Sequence, residues 1–157
     1  QAKSQNIEFT RLKDVLKGTP NLQLCEPSPS SWGQGGFHDY WLNESNAWVV
    51  PEWSKAVKAM IKNSSHFSLN KYNQKTLQQA ARELLLAQSS DWSFILRAGT
   101  TTGLARERIH RHLNRFWTLI KTIEDNKEVP SQLLKEIEEE DSIFPSIQIS
   151  DWSEVSN

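Results

Sequence analysis

The sequence is poor in sulfur. One cysteine, Cys25, in 157 residues excludes an internal disulfide and any zinc site built from several cysteines. It fits a reducing compartment. There is no long hydrophobic run. The longest helical apolar stretch, Leu84-Leu85-Leu86-Ala87, is far below the roughly 18–20 residues of a membrane helix, so no membrane partner is expected. No basic-then-apolar leader opens the chain, so no retained secretion signal is expected. The chain begins at Gln1 rather than methionine, which suggests a piece of a longer chain or a processed product. There is no excess of positive charge either. The net charge of -1 gives no overall field that would steer the chain onto nucleic acid.

What is present is ordinary in bulk and unusual in detail. With 37% hydrophobic and 24% charged residues, the length suggests one domain with a real core. Charge is uneven. Residues 71–121 carry nine Lys/Arg against three Asp/Glu, and residues 122–157 carry two against ten. The acidic end is therefore expected to lie against the basic helices. Seven tryptophans stand out, four of them (Trp32, Trp41, Trp48, Trp53) within 22 residues.

Periodicity is helical almost throughout. Thr10 is placed to cap a short helix over 11–17 that ends at Gly18. Pro51 is placed to open a helix to about residue 63. Residues 73–88, NQKTLQQAARELLLAQ, carry one apolar stripe on strong helix formers. A short apolar segment follows over 92–98. A helix over about 103–124 is expected behind a threonine cap, with a stripe through Ala105, Ile109, His112/Leu113, Phe116 and Ile120. A last helix runs over about 131–141, and SIFPSI closes as an apolar strap. The segment 26–36, EPSPSSWGQGG, cannot form a regular element. Residues 37–50 read as a short irregular helix or a run of turns. The fold class is all-α, a helical bundle with a long Trp/Gly/Pro-rich loop segment.

That loop is where chemistry is expected. Trp32 sits between Ser31 and Gly33, and Trp41 lies nine residues on. A tryptophan face is a platform for flat, partly apolar ligands such as a sugar ring. Ser31, His38, Asp39, Asn43 and Asn46 could meet its hydroxyls. The bland reading is that these tryptophans pin the loop onto the bundle, as Trp53 and Trp117 are expected to pack their helices. Glu83 is expected to pair with the adjacent Arg82. Asp91, at a helix break before Trp92, reads by default as a helix cap and alternatively as an acceptor for a ligand hydroxyl. No second acid has a spacing that fixes it beside Asp91, so no catalytic dyad is supported within the chain. His38, His66, His110 and His112 show no metal-binding spacing, and no metal is expected. Arg108, Arg111 and Arg115 share a helix face, for which pairing with EIEEED (136–141) is favoured over nucleic acid.

Three segments together resemble one family: SSWGQGGFHDYWLNESNAWV (30–49), QAARELLLAQSSDWSFIL (79–96) and GTTTGLARERIHRHLNRF (99–116), with EEEDSIFPSI (138–147) closing the match. They are similar to the C-terminal helical domain of the glycoside hydrolase family 57 α-1,4-glucan branching enzymes. The resemblance covers about residues 10–147, which makes that range the helical domain. Residues 1–9 then read as the end of a preceding barrel or a linker, and 148–157 as a tail. It implies a cytoplasmic enzyme that cleaves an α-1,4 glucan linkage with retention and rejoins it as an α-1,6 branch. The catalytic Glu and Asp would lie in an N-terminal (β/α)7 barrel of the same polypeptide, so none is expected in this chain. It further implies that Trp32, Trp41 and Asp91 are substrate-binding residues on one wall of the glucan cleft. Two carboxylates suffice for such chemistry, so no cofactor is expected. The alternative is a stand-alone helical binding or scaffold protein without catalysis.

Overall fold

A computed structural model describes residues 7–18, 21–66 and 71–152, without the side chains of Gln34, His66, Lys71 and Tyr72. The expectations that fall on residues 1–6, on Thr19-Pro20, on the His66 side chain and on the tail beyond 152 lie outside these. The chain divides into two units, 1–31 and 32–157.

In the first unit, α1 spans Leu12–Gly18. Arg11 starts it, accepting the backbone N–H groups of Asp14 and Val15 and pairing its Nε with Asp14 at 2.7 Å. Leu12, Val15 and Leu16 of this helix are exposed. Ile7-Glu8-Phe9 forms no regular element.

The second unit is the bundle. Its helices are α2 (Val49–His66), α3 (Lys71–Ala87), α4 (Ser90–Ala98), α5 (Thr102–Glu124) and α6 (Ser131–Glu140). Among the described residues there is no strand. α2 begins two residues before Pro51. A proline in the first turn lacks only an N–H that has no helical acceptor there, so it does not fix the start. The 92–98 segment is a full helix, closed by Gly99 in the left-handed region (φ 75°), whose N–H reaches the Ile95 carbonyl at 3.0 Å. Thr101 does precede α5, but at φ 40° and without a side-chain cap. Capping needs an extended backbone that lets the hydroxyl reach the second or third N–H, and the left-handed turn removes it.

α3 and α5 form the central pair. The stripes read from the sequence meet there. Leu77, Ala80, Ala81 and Leu84 of α3 and Ala105, Ile109, Phe116 and Ile120 of α5 are all fully buried. α2 adds Ala56 and Met60, and α6 adds Leu134 and Ile137. Each large apolar side chain so buried contributes about 1.5–3 kcal/mol against chain entropy. Trp53, Trp92 and Trp117 pack partly buried against this core. In the closing strap Ile147 is buried, whereas Ile143 and Phe144 are exposed.

Candidate functional site

The Trp-rich loop folds as a chain of turns. Residues 34–36 and 38–40 each make a 3-10 turn, and Asn46 and Ala47 donate their N–H groups to the Asn43 carbonyl. Two asparagines hold it. The Asn43 amide donates to the carbonyls of Asp39 (2.8 Å) and Tyr40 (3.4 Å), and its Oδ1 accepts the Ser45 N–H at 3.0 Å. Asn46 is fully buried. Its Oδ1 accepts the Asn43 N–H at 2.9 Å, and its amide donates to the carbonyls of Tyr40 (3.3 Å) and, on α4, Ser93 (3.5 Å). These amides are thus spent on the backbone. The expectation that Asn43 and Asn46 meet ligand hydroxyls is corrected for both, because an amide satisfied by carbonyls has no donor left.

Held this way, the loop gathers its rings around Phe94 of α4. Trp32 and Trp41 have centroids 6.2 Å apart, and the Trp41 Nε1 donates to the Trp32 carbonyl at 3.2 Å. Phe94 lies 5.9 Å from Trp32, 6.4 Å from Trp41 and 5.1 Å from Tyr40, stacked on the last at 17°. Trp32 remains 71% exposed, and Phe37 and Leu42 of the same loop are exposed as well. Gly33, at φ +123°, lies so close to Tyr40 that a Cβ there would meet its ring at 3.1 Å. Phe94 and Tyr40 were not singled out by sequence. The signal was available for Phe94, three residues after Asp91 on one helix ridge.

Asp91 sits exposed in the first turn of α4, where its charge suits the helix dipole. The N-cap is Ser89, without a side-chain cap bond. Phe94 of the aromatic cluster stands three residues after Asp91 on the same helix, and Trp92 between them donates its Nε1 to the Leu86 carbonyl at 2.8 Å. Behind the loop, Trp48 stacks on His110 at 5.2 Å and takes the Arg106 guanidinium 5.1 Å from its ring centre.

A second polar cluster lies inside the bundle. His112 Nδ1 is 2.8 Å from Glu83 Oε2 and 3.6 Å from Asp141 Oδ2. Gln79 donates to Glu83 Oε1 at 2.9 Å, and Arg115 bridges Asp141 (2.5 Å) and Glu140. The expected Arg82–Glu83 pair does not form. Neighbours in sequence point to different sides of a helix, so Glu83 turns inward to α5 while Arg82 donates to the Ile143 carbonyl at 2.8 Å. Burial of Arg115 favours its neutral form, but the Glu140 hydrogen bond and the charges of Glu83, Glu140 and Asp141 outweigh it and raise its pKa. The same hydrogen bond and charge hold Glu140 below its ordinary value. Glu83, His112 and Asp141 offer one ligand atom each within 4.8 Å of one another, a grouping that sequence spacing did not reveal. Gln79 and Arg115 already engage two of the three carboxylate and imidazole partners, so the cluster works as an internal ion-pair network. The expected contact between the acidic end and the basic helix is made here, by Arg115.

The architecture thus defines an all-α domain with a pre-organised, solvent-facing aromatic patch, the kind of surface that takes a flat, partly apolar ligand. The family profile of the C-terminal part of 1,4-alpha-glucan branching enzymes matches residues 52–152, and the chain belongs to that family. A 1,4-alpha-glucan branching enzyme of Thermococcus kodakarensis is 29% identical over 126 residues, which cover 78% of this chain and 19% of the relative. Crystal structures of GH57 branching enzymes superpose closely: that from Pyrococcus horikoshii with TM-score 0.85 at 29% identity over 96% of this chain, and that from T. kodakarensis with 0.89 at 26% over 99%. The α-amylase AmyC of Thermotoga maritima gives 0.78 at 26% over 99%. This chain spans 28–29% of those solved chains. The likeness is to one domain of larger polypeptides, which does not favour a stand-alone scaffold. No described helix is long and apolar enough to cross a membrane.

Proposed function

We propose that the chain forms one wall of the glucan cleft in a family 57 branching enzyme. In this reading Trp32 and Trp41 stack on glucose rings, and Asp91 accepts hydrogen bonds from sugar hydroxyls. An N-terminal catalytic barrel of the same polypeptide carries the two carboxylates that transfer an α-1,4 chain to an α-1,6 position with retention. The likeness to an amylase as well as to branching enzymes supports placing the choice between hydrolysis and transfer outside this domain. The exposed Cys25 thiol suits a reducing, cytoplasmic setting.

The observation that carries the reading is the exposure of Trp32. A ring that served only to pin the loop would be covered, yet it leans at a tilt on Tyr40, Trp41 and Phe94 and leaves most of its surface to solvent. Such a surface binds the C–H face of a pyranose. The test replaces Trp32 by Ala in the polypeptide that carries the barrel. Branching activity falls at least tenfold, while the unfolding free energy changes by less than about 1 kcal/mol because the side chain is largely exposed. A large drop in melting temperature with intact activity would sink the platform reading.

A further inference from the structure

Beside the aromatic patch lies a hollow of about 540 Å³ lined by Asp39, Asn43, Glu44, Ser45 and Arg97. It adjoins the patch through the chain on both sides. Asp39 immediately precedes Tyr40 and Trp41, and Arg97 follows Phe94 by three residues on the same ridge of α4. Two lining residues are committed to the wall. Asn43 is saturated by backbone contacts, and Ser45 donates its hydroxyl to Asn43. The other three differ. Asp39, Glu44 and Arg97 are exposed, and although they line one cavity they form no ion pair with one another. Two carboxylates and a guanidinium are thus held around a space of ligand size without closing on themselves.

The charge pattern selects among ligands. An anion would meet two carboxylates, and a cation would meet the guanidinium. A neutral vicinal diol suits all three, because each hydroxyl both donates and accepts, to carboxylate and guanidinium respectively. We infer that this hollow is a polar subsite for a further glycosyl unit of the same oligosaccharide, with Asp39, Glu44 and Arg97 as its hydroxyl ligands. The inference rests on the platform reading above and extends it, since it assigns residues that prefer a longer chain over a shorter one.

The experiment is a calorimetric and tryptophan-fluorescence titration, with maltose and with maltoheptaose, of the polypeptide that carries the barrel. The variants are Arg97→Met, the double variant Asp39→Asn/Glu44→Gln, and Trp32→Ala. The substituted positions of the hollow are exposed, so folding is retained. Loss of charge-assisted hydrogen bonds weakens maltoheptaose binding about tenfold in Arg97→Met and in the double variant. Maltose, short enough for the aromatic patch alone, is unaffected by either, and Trp32→Ala weakens both sugars. Equal losses on both sugars, or none on maltoheptaose while Trp32→Ala still weakens it, overturn the subsite and leave the platform standing. Unchanged binding of both sugars in Trp32→Ala overturns the platform reading and the subsite with it.

Discussion

His112 Nδ1 and Glu83 Oε2 lie 2.8 Å apart with side chains 3% and 0% exposed, so the two central helices α3 and α5 are joined through a buried ionisable pair. A buried polar group left without its hydrogen bond carries its desolvation cost uncompensated. Removing one partner, in His112→Ala, therefore destabilises the domain by about 1–3 kcal/mol. Glu83→Gln costs less, because an amide still accepts a hydrogen bond at that place. Urea unfolding of the two single variants and the double variant measures the coupling, expected to exceed about 1 kcal/mol. Additive effects would show that the pair contributes nothing as a pair.

The outer end of the same network sets an acid sensitivity. Glu140 is held below its ordinary value of 4.5 by its hydrogen bond to Arg115 and then by that residue's charge. A carboxylate whose folded-state pKa is depressed adds stability that is complete above the ordinary value and is lost as pH falls through the lower one. The difference in melting temperature between the unaltered protein and Glu140→Gln is therefore present at neutral pH and vanishes on acidification below that range. A difference that stays constant from neutral to strongly acidic pH contradicts the pairing. Added salt also shrinks it, since Glu140 is exposed.

Asn46 decides whether the aromatic loop has one conformation. In Asn46→Ala the Asn43 N–H loses its acceptor and the Tyr40 and Ser93 carbonyls each lose a donor, in a half-buried to buried place. The expected cost is about 1–3 kcal/mol. Near-ultraviolet circular dichroism, dominated by the packed tryptophans, loses intensity even where far-ultraviolet helix signal is retained. Retention of the full near-ultraviolet spectrum would separate the loop's order from this residue.

Gly33 is the second constraint on the loop. At φ +123° any L side chain is strained, and a new Cβ would meet the Tyr40 ring at 3.1 Å. Gly33→Ala therefore costs about 1–3 kcal/mol and displaces Trp32 from the rings it leans on. The tryptophan emission maximum shifts toward that of fully hydrated indole. By contrast Gly103→Ala, where nothing lies within 4 Å, leaves emission unchanged and supports helix α5.

The sequence by itself determined the helices and the core. Each of α2, α3, α5 and α6 carries a 3.6-residue apolar stripe, and a stripe of that kind has to be buried, so these elements and their inward faces followed from local pattern, whereas α4 was legible only as a short apolar segment. It also determined that Trp32 stands on a segment without regular structure, because Pro, Ser and Gly deny that segment a ladder of its own. Only tertiary structure decided which polar groups meet. Glu83 was as free in sequence to pair with Arg82 as with His112, and the helical step between neighbours turned Glu83 toward α5 and Arg82 toward the Ile143 carbonyl. Asn43 and Asn46 looked like ligand contacts and proved to be pins, because side-chain amides bond whichever carbonyls the turn brings near. Phe94 joined the aromatic patch through the packing of α4 against the loop, a contact between positions about fifty residues apart. Local periodicity carries the information for burial. The partners of polar and aromatic side chains depend on how separate elements dock, and no short stretch of sequence encodes that.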